Sequence, residues 1–234
     1  MKLLLKKIKT LYYNIVFFLD YEIWLDIKKK FPKTINDNEK WITSKKNLYL
    51  LKKIIKKYKP KKILEYGSGI GVSSEAMISQ MSNDCSFVGI ENNDHCVNEC
   101  LKRTKKYEKD VEFIKSEIVI SKEMIGIETL IYKYTKNIKA DDLDLIYIDG
   151  PSFLLKNNIF YEGMVRGDFF HIYENLKPGC IIVVDGGQIT RKHIIRFCKS
   201  IEFLKILNVF VIKLTNKDKL KDHTFEKLKK IKYI

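Results

Sequence analysis

Three acidic residues of this 234-residue chain each end a short apolar segment. Glu91 closes the segment SFVGIE, Asp149 closes DLIYID, and Asp185 closes CIIVVD. In an open parallel sheet the carboxyl ends of the strands face the ligand crevice, so an acid at a strand tip is available for chemistry. Asp149 and Asp185 are expected on neighbouring strands, where a carboxylate can take a proton from a bound reactant. Both are therefore candidate general bases.

A glycine-rich turn, Gly67–Gly71, gives the second chemical signal. It follows the half-apolar segment Lys62–Tyr66 and precedes the helix-compatible segment Ser73–Ile78. Glycines tolerate φ > 0 and let backbone N–H groups approach a ligand closely. The succession of strand, turn and helix is typical of a nucleotide-binding site. The dinucleotide pattern G-x-G-x-x-G is not met, because position 72 is valine and the third glycine comes one residue early.

The distance between the turn and the next acidic strand tip fits a nucleoside. Glu91 lies twenty residues after Gly71. A carboxylate at the tip of the second strand can accept hydrogen bonds from two vicinal ribose hydroxyls. The spacing therefore predicts that Glu91 holds the ribose of a nucleoside bound at the turn.

The elements that must position these residues alternate along the chain. We predict helices at 47–58, 73–81, 94–107, 121–134, 161–176 and 189–200, and strands at 62–66, 86–91, 111–115, 144–149, 180–185, 203–207 and 210–214. Continuous apolar strands that alternate with helices indicate a parallel sheet covered on both faces. The expected fold class is α/β, with a doubly wound, mostly parallel seven-stranded sheet.

The turn and the residue before it resemble motif I of class I S-adenosylmethionine (SAM) methyltransferases, since Glu65 stands two residues before Gly67 in the pattern E-x-G-x-G-x-G. The string LEYGSG is similar to small bacterial O-methyltransferases, and the resemblance spans about residues 45–215. It implies a Rossmann-like methyltransferase fold and SAM as cofactor, with Ser116 or Glu117 at the adenine amino group. The residues that we assign to SAM, by this resemblance and by spacing, are Glu65, Gly67, Ser68, Gly69, Gly71, Ser73, Glu91, Asn92, Ser116, Glu117 and Asp149.

The segment Tyr147–Ser152, YIDGPS, resembles motif IV of the same family. It is neither the N-P-P-Y nor the D-P-P-Y signature of enzymes that methylate nucleobase or amide nitrogens. The chain also has no Pro-Cys pair of the kind that attacks pyrimidine C5. The resemblance therefore favours an oxygen acceptor, and a small amine stays open.

The resemblance leaves open whether the site holds a metal ion and which residue acts as the base. In catechol-type O-methyltransferases the positions of Asp149 and Asp185 carry ligands of Mg²⁺, a hard cation that favours oxygen clusters. That family has asparagine where Gly186 stands and lysine where Ser152 stands, so a metal site and a metal-free site both stay open. His193, which follows the Asp185 tip, is a further candidate base. His171 is a fourth candidate base, but its position in the chain favours a helix face that packs against the sheet.

The net charge of +15 suits RNA or an anionic membrane as a partner. Only four of the 44 basic residues are arginine, whereas sites that grip phosphate favour arginine forks. We interpret much of the charge as a solvated lysine surface. The five cysteines form no C-x-x-C motif and indicate free thiols in a reducing, cytoplasmic compartment.

Residues 1–30 combine lysines with an apolar, aromatic-rich run. Its uncharged span, 10–19, is shorter than the about 20 residues that cross a bilayer. One interpretation is an amphipathic helix at the inner membrane face, and the other is a helix that caps the domain or forms a homo-oligomer interface. The chain then divides into an N-terminal helical extension with linker (1–42), a methyltransferase domain (43–215) and a lysine-rich tail (216–234).

The expected function is SAM-dependent O-methylation of a sugar or another small hydroxylated acceptor, surface-glycan or lipid-linked, as in bacterial glycan modification. Methylation of RNA is the alternative raised by the charge, and the lack of an added RNA-binding domain argues against it. A catalytically inactive partner subunit that keeps the SAM fold is the second alternative.

Overall fold

The computed structural model describes residues 21–30, 43–156, 159–198, 201–203 and 210–214. The helices in these ranges are α1 (Tyr21–Lys30), α2 (Lys45–Tyr58), α3 (Val72–Ile78), α4 (Asp94–Thr104), α5 (Asp168–Ile172) and α6 (Gln188–Phe197). The strands are β1 (Lys62–Tyr66), β2 (Ser86–Glu91), β3 (Val111–Lys115), β4 (Ile118–Ser121), β5 (Thr129–Tyr132), β6 (Leu145–Ile148), β7 (Phe153–Lys156), β8 (Ile159–Glu162), β9 (Val165–Arg166), β10 (Ile181–Val184), β11 (Ile201–Phe203) and β12 (Phe210–Leu214).

The central sheet has the strand order β11-β12-β10-β6-β1-β2-β3. The five neighbours from β10 to β3 are parallel, and β12 pairs antiparallel with β10 and β11 at one edge. The strand order reverses between β1 and β6, and open α/β sheets bind their ligands at such a switch point. The structure confirms the predicted α/β fold, with five parallel strands at the centre of the sheet and two antiparallel strands at its edge.

Both faces of the sheet are covered, because successive side chains of a strand point to opposite sides. Ile63 and Leu145 belong to the core beneath α1, α2 and α3. Leu64 and Ile146 belong to the core beneath α5 and α6. All four side chains are buried, so each of these two strands contributes apolar side chains to the cores on both faces of the sheet.

The segment that follows β3 corrects one prediction, a helix over 121–134. It forms an antiparallel hairpin of β4 and β5, to which β9 adds a third strand. β-branched residues dominate β4 and β5, and these side chains fit a pleated strand better than a helix. Gly126 takes φ 72° between the two strands, a backbone conformation that interrupts a helix.

The predicted helix over 161–176 is wrong for its first seven residues. The strand β8 occupies the first two of them and pairs with β7, and the helical residues are those of α5 and of the 3₁₀ helix that follows it, Tyr173–Asn175. Gly163, at φ 67°, turns the chain between β8 and β9, and glycine weakens any helix that includes it. The strand predicted at 203–207 overlaps β11 at Phe203, while residues 204–209 and the tail 216–234 fall outside the described ranges.

The helix α1 packs on α2. Ile23 and Ile27 are buried in the shared core, and the buried ammonium of Lys52 donates to Asp26 at 2.6 Å and to Ser79 at 2.8 Å. None of the described helices combines the length and the apolar character needed to cross a bilayer. Residues 1–20, which carry much of the membrane hypothesis, lie outside the described ranges.

Candidate functional site

The turn after β1 lies against the loop after β6. Gly67 and Gly71 take φ of 83° and 80°, which only glycine adopts without strain. A Cβ at Gly67 would lie 2.5 Å from the amide nitrogen of Gly150, so neither backbone could come so close if residue 67 had a side chain. The amides of Asp149 and Gly150 both donate to the carbonyl of Tyr66, at 2.9 and 2.8 Å. The acid at the tip of β6 is thereby fixed beside the glycine turn.

Gly69 is the open point of the turn. Its φ is 51°, and a Cβ placed on it would meet no protein atom within 4 Å. Its carbonyl accepts from the Cys100 thiol at 3.2 Å, and the carbonyl of Ile70 accepts from Arg103 Nε at 3.0 Å. The helix α4 therefore supports the turn from behind, while the open side keeps room for a ligand.

Glu91, at the end of β2, lies beside this turn. Its Oε2 accepts from the amide of Gly69 at 2.8 Å. Its Oε1 accepts from the amides of Asn92 at 2.8 Å and Asn93 at 3.2 Å. A carboxylate oxygen can accept about two hydrogen bonds, so Oε2 retains capacity for a further donor. The carboxylate is thus held in one orientation beside the open turn.

Glu65 and Ser73, both assigned to SAM by resemblance, contact each other instead of the open side. Glu65 is fully buried, and its carboxylate accepts from Ser73 Oγ at 2.5 Å and from Ser74 Oγ. Burial raises the pKa of Glu65 to about 7, although both hydroxyls act to lower it. The three side chains join the first turn of α3 to β1. They would therefore affect a ligand only indirectly, by fixing the shape of the glycine turn between these two elements.

The remaining residues assigned to SAM differ in exposure. Ser68 is buried, Asn92 is exposed, and Ser116 is buried, its Oγ accepting from the amide of Tyr134 at 2.9 Å. The side chain of Glu117 is 76% exposed and pairs with Lys133 at 3.7 Å. These contacts test no adenine role, which stays a prediction for Ser116 and Glu117.

Asp149 and Asp185 come together at the tips of β6 and β10. Asp185 Oδ2 accepts from Tyr147 OH at 2.7 Å and from Asn47 Nδ2 at 2.5 Å. Asp149 Oδ2 accepts from Thr43 Oγ1 at 3.5 Å. Burial and the negative charge of Asp185 raise the pKa of Asp149 above its ordinary value.

Sequence reasoning missed Thr43 and Asn47, which lie 106 and 138 residues before the acids that they contact. The one local signal was the helix start itself, where Ser44 Oγ caps α2 by accepting from the amide of Asn47 at 3.2 Å. A cap fixes where α2 begins but does not show that its first turn reaches the strand tips.

The two histidines lie on the helices of the other layer. His193 on α6 is buried and stacks on Phe197, with ring centroids 5.5 Å apart. It lines a cavity of about 430 Å³ whose lining also includes Lys122 and Met164, but neither Asp149 nor Asp185. Burial lowers the pKa of His193. These contacts do not bring His193 to the acid pair, so its role as a base stays a prediction.

His171 lies on α5, beside the three-stranded sheet of β4, β5 and β9. Its Nε2 is 3.4 Å from Ser121 Oγ of β4, and burial lowers the pKa of its ring. The histidine therefore meets a hydroxyl of the β4–β5 hairpin, a contact that fits the expected helix-face position.

Comparison with known proteins finds relatives by structure alone. No protein-family model matches the chain, and no curated protein matches its sequence. Solved structures do match. One is the methyltransferase PaMTH1 of Podospora anserina, which was solved with S-adenosylhomocysteine (SAH) bound. It is 18% identical to this chain with a TM-score of 0.53, and the match covers 85% of this chain and 87% of that one. The O-methyltransferase TomG of Streptomyces achromogenes, in complex with SAM, matches at 15% identity and TM-score 0.53, with 83% and 90% coverage.

A third match is the O-methyltransferase of Bacillus cereus in complex with SAH, at 13% identity and TM-score 0.54, covering 83% of this chain and 91% of that one. Identities this low establish a shared fold. The chain therefore has the Rossmann-like fold of these methyltransferases, as the glycine turn and the strand tips predicted.

The raised pKa of Glu65 predicts a pH-dependent stability. A carboxyl with a pKa near 7 when folded and near 4.5 when unfolded binds more protons in the folded state between these values. Its stabilising contribution is complete below the unfolded pKa and is lost as pH rises through the folded pKa. Glu65→Gln stays uncharged, so its stability relative to wild type should increase between about pH 5 and pH 8.

Urea denaturation of both proteins at the two pH values measures this difference. Asp149, whose charge further raises the pKa of Glu65, and Asp168, whose pKa burial raises to about 7, titrate in both proteins and largely cancel. Glu112→Gln, a change at an exposed glutamate of β3, is the matched control and should show no such trend. A constant difference between wild type and Glu65→Gln would contradict the raised pKa.

Proposed function

We propose that the chain is a SAM-dependent methyltransferase that transfers a methyl group to a hydroxyl oxygen of a small acceptor. The observation that carries this proposal is the pairing of Gly69 with Glu91. An open glycine turn and a fixed carboxylate meet through one hydrogen bond at the tips of β1 and β2, next to the switch point between β1 and β6. Three proteins of the same fold were solved with SAM or SAH, which supports the same cofactor here.

The carboxylate of Glu91 suits a ribose. Its Oε2 has room for a hydroxyl donor beside Gly69, and a hydrogen bond to a charged acceptor is stronger than one between neutral groups. Gly69 leaves space where the backbone meets the ligand. The two residues would therefore hold the nucleoside part of SAM at the tips of β1 and β2.

Methyl transfer needs little covalent help, because the sulfonium of SAM is already activated. The acceptor oxygen attacks the methyl carbon, the bond from sulfur to methyl breaks with its electron pair going to sulfur, and SAH leaves. The hydroxyl proton passes to a base, for which Asp149 is the best-placed candidate. Its backbone amide bonds to Tyr66 beside the turn, and its raised pKa suits proton uptake near neutrality.

The acceptor class is the second part of the proposal. We favour a sugar or another small hydroxylated molecule, glycan or lipid-linked, because the strand tip of β6 reads Asp149-Gly150-Pro151 and lacks the signature of nitrogen methylation. A lipid-linked acceptor would accord with basic residues among 1–30 that favour anionic membranes. RNA methylation and an inactive partner subunit are outcomes that the acceptor experiment below separates.

Gly69→Val is expected to weaken SAH binding at least tenfold, because the added side chain projects into the open space of the turn. Gly179→Val is the matched control. Gly179 also has positive φ, 91°, and a Cβ added to it would meet no atom within 4 Å, but it lies in the turn before β10. Calorimetric titration with SAH compares them. Equal affinity of the two folded variants would exclude Gly69 from the site.

Asp149→Asn is expected to reduce methyl transfer about 100-fold or more while SAH affinity changes little, because the variant keeps shape and loses the proton acceptor. Wild-type activity should rise with pH through the neutral range, as the carboxyl ionises. The assay uses radiolabelled SAM with fractionated glycans, lipids and RNA from the source cell. Asp142→Asn, a change at an exposed acid before β6, is the control.

Labelling of glycan or lipid that depends on Asp149 supports the proposal. Labelling confined to RNA would replace the acceptor, and SAH binding with no labelled fraction would favour the inactive subunit. Full activity of Asp149→Asn would exclude this residue as the base.

A further inference from the structure

One buried cation lies across the tips of the two strands that carry the acid pair. Arg166, on β9, is 8% exposed. Its Nη1 donates to the carbonyl of Asp185 at 2.5 Å and to the carbonyl of Ile148 at 3.1 Å, and its Nη2 donates to Ser152 Oγ at 3.3 Å. Three partners, at the end of β6, in the loop after β6 and directly after β10, thus fix the guanidinium.

The backbone of Arg166 is anchored as well. Its amide donates to Thr190 Oγ1 of α6 at 2.9 Å, and the residue pairs with Leu130 of β5. The backbone of Arg166 is therefore held by α6 and by the three-stranded sheet of β4, β5 and β9, whereas its guanidinium bonds to the ends of β6 and β10. Because arginine stays protonated in proteins, this position carries a permanent positive charge.

The guanidinium stands close to the positions that depart from the catechol-type pattern. It bonds to Ser152, where that family has lysine. A Cβ at Gly186, where the family has asparagine, would lie 3.6 Å from Nη2, and one at Gly187 would lie 3.5 Å from Nη1. Relative to the catechol-type pattern, the arginine on β9 and the glycine after β10 therefore both alter the surroundings of the acid pair.

The residues around the pair do not fit a divalent cation. Asp185 Oδ2 already accepts from two donors, Asn47 and Tyr147, whereas Mg²⁺ needs free oxygen lone pairs in near-octahedral geometry. In the described part of the chain, no three histidine, cysteine or acidic side chains cluster so that they could hold a metal ion. A divalent cation would also be repelled by the charge on Arg166.

We propose, on the basis of the methyltransferase function above, that the guanidinium of Arg166 supplies the positive charge that a divalent cation would supply at these strand tips, so that methyl transfer here is independent of metal. Arg166 acts as a positioning residue: its donors point to protein carbonyls and a hydroxyl, and its charge offsets the two carboxylates. One guanidinium against two carboxylates leaves one negative charge, so a carboxylate remains to take the acceptor proton.

Binding of Mn²⁺ to the full chain, measured by electron paramagnetic resonance, tests this without any acceptor. We expect no site in wild type tighter than about 1 mM, the weak end of the range for oxygen-ligand cation sites in proteins. A stoichiometric site at least tenfold tighter that disappears in Asp185→Asn would overturn the proposal. Methyl transfer, once an acceptor is found, should be unchanged by EDTA.

The substitution Arg166→Gln removes the charge and keeps much of the side-chain volume. We expect it to gain Mn²⁺ affinity at least tenfold, because two neighbouring carboxylates then lack their cation, whereas Arg166→Lys should resemble wild type. Arg191→Gln is the matched control, since Arg191 also donates to the β10 tip, at Gly186, but is only half-buried. Mn²⁺ affinity that is the same in wild type, Arg166→Gln and Arg166→Lys would contradict the role of Arg166.

Thermal melting confirms that each variant is folded, and if Arg166→Gln is not, the wild-type measurement still decides. The outcome is also separable from the function proposed above. If the chain fails to bind SAH and also fails to bind Mn²⁺, the methyltransferase function is refuted and the proposed role of the Arg166 charge is not. If the chain binds both SAH and Mn²⁺, the role of Arg166 is refuted and the methyltransferase function is not.

Discussion

The close contact between the backbones of Gly67 and Gly150 is the constraint on which the site depends. It joins the turn after β1 to the loop after β6, and neither loop could hold this position with a Cβ at residue 67 or 150. Two amides after β6 donate to the carbonyl of Tyr66 across the same contact. As a result, the acid that ends β6 lies beside the turn that is open to a ligand.

The acids of the site differ in their hydrogen-bond partners and in their electrostatic surroundings. Glu91 is held in one orientation by three backbone amides. Glu65 has only hydroxyl partners, and burial raises its pKa to about 7. Burial and the charge of Asp185 raise the pKa of Asp149, whereas the charge of Arg166 lowers it. The three carboxyls thus differ in burial, in hydrogen-bond partners and in neighbouring charges.

Much of this was predictable from the sequence because it depends on local signals. Apolar segments that end in Glu91, Asp149 and Asp185 located the strand tips, and alternating glycines located the turn. The strand β5 falls within the helix predicted over 121–134, since its short apolar run fits either period and pairing with β4 and β9 decided the outcome. Periodicity alone does not contain that information.

The contacts around the acid pair could not be predicted for a different reason. Asn47 meets Asp185, and the Arg166 side chain bonds the carbonyl of Ile148, through the tertiary fold, and neither residue belongs to a recognisable motif. The scarcity of arginine gave the nearest hint. With only four arginines in the chain, a buried one near a strand tip stands out, because its several donors can bond to more than one strand end at once.

Calorimetric titration of SAH into wild type and Glu91→Gln tests the central claim most directly. If Glu91 and the Gly69 turn bind the nucleoside, wild type should bind one SAH per chain and Glu91→Gln should bind it at least tenfold more weakly, since hydrogen bonds to a charged acceptor contribute about 1.5–3 kcal/mol each. Glu112→Gln, at an exposed position of β3, should match wild type. No binding by wild type, or equal binding by Glu91→Gln, would contradict the account.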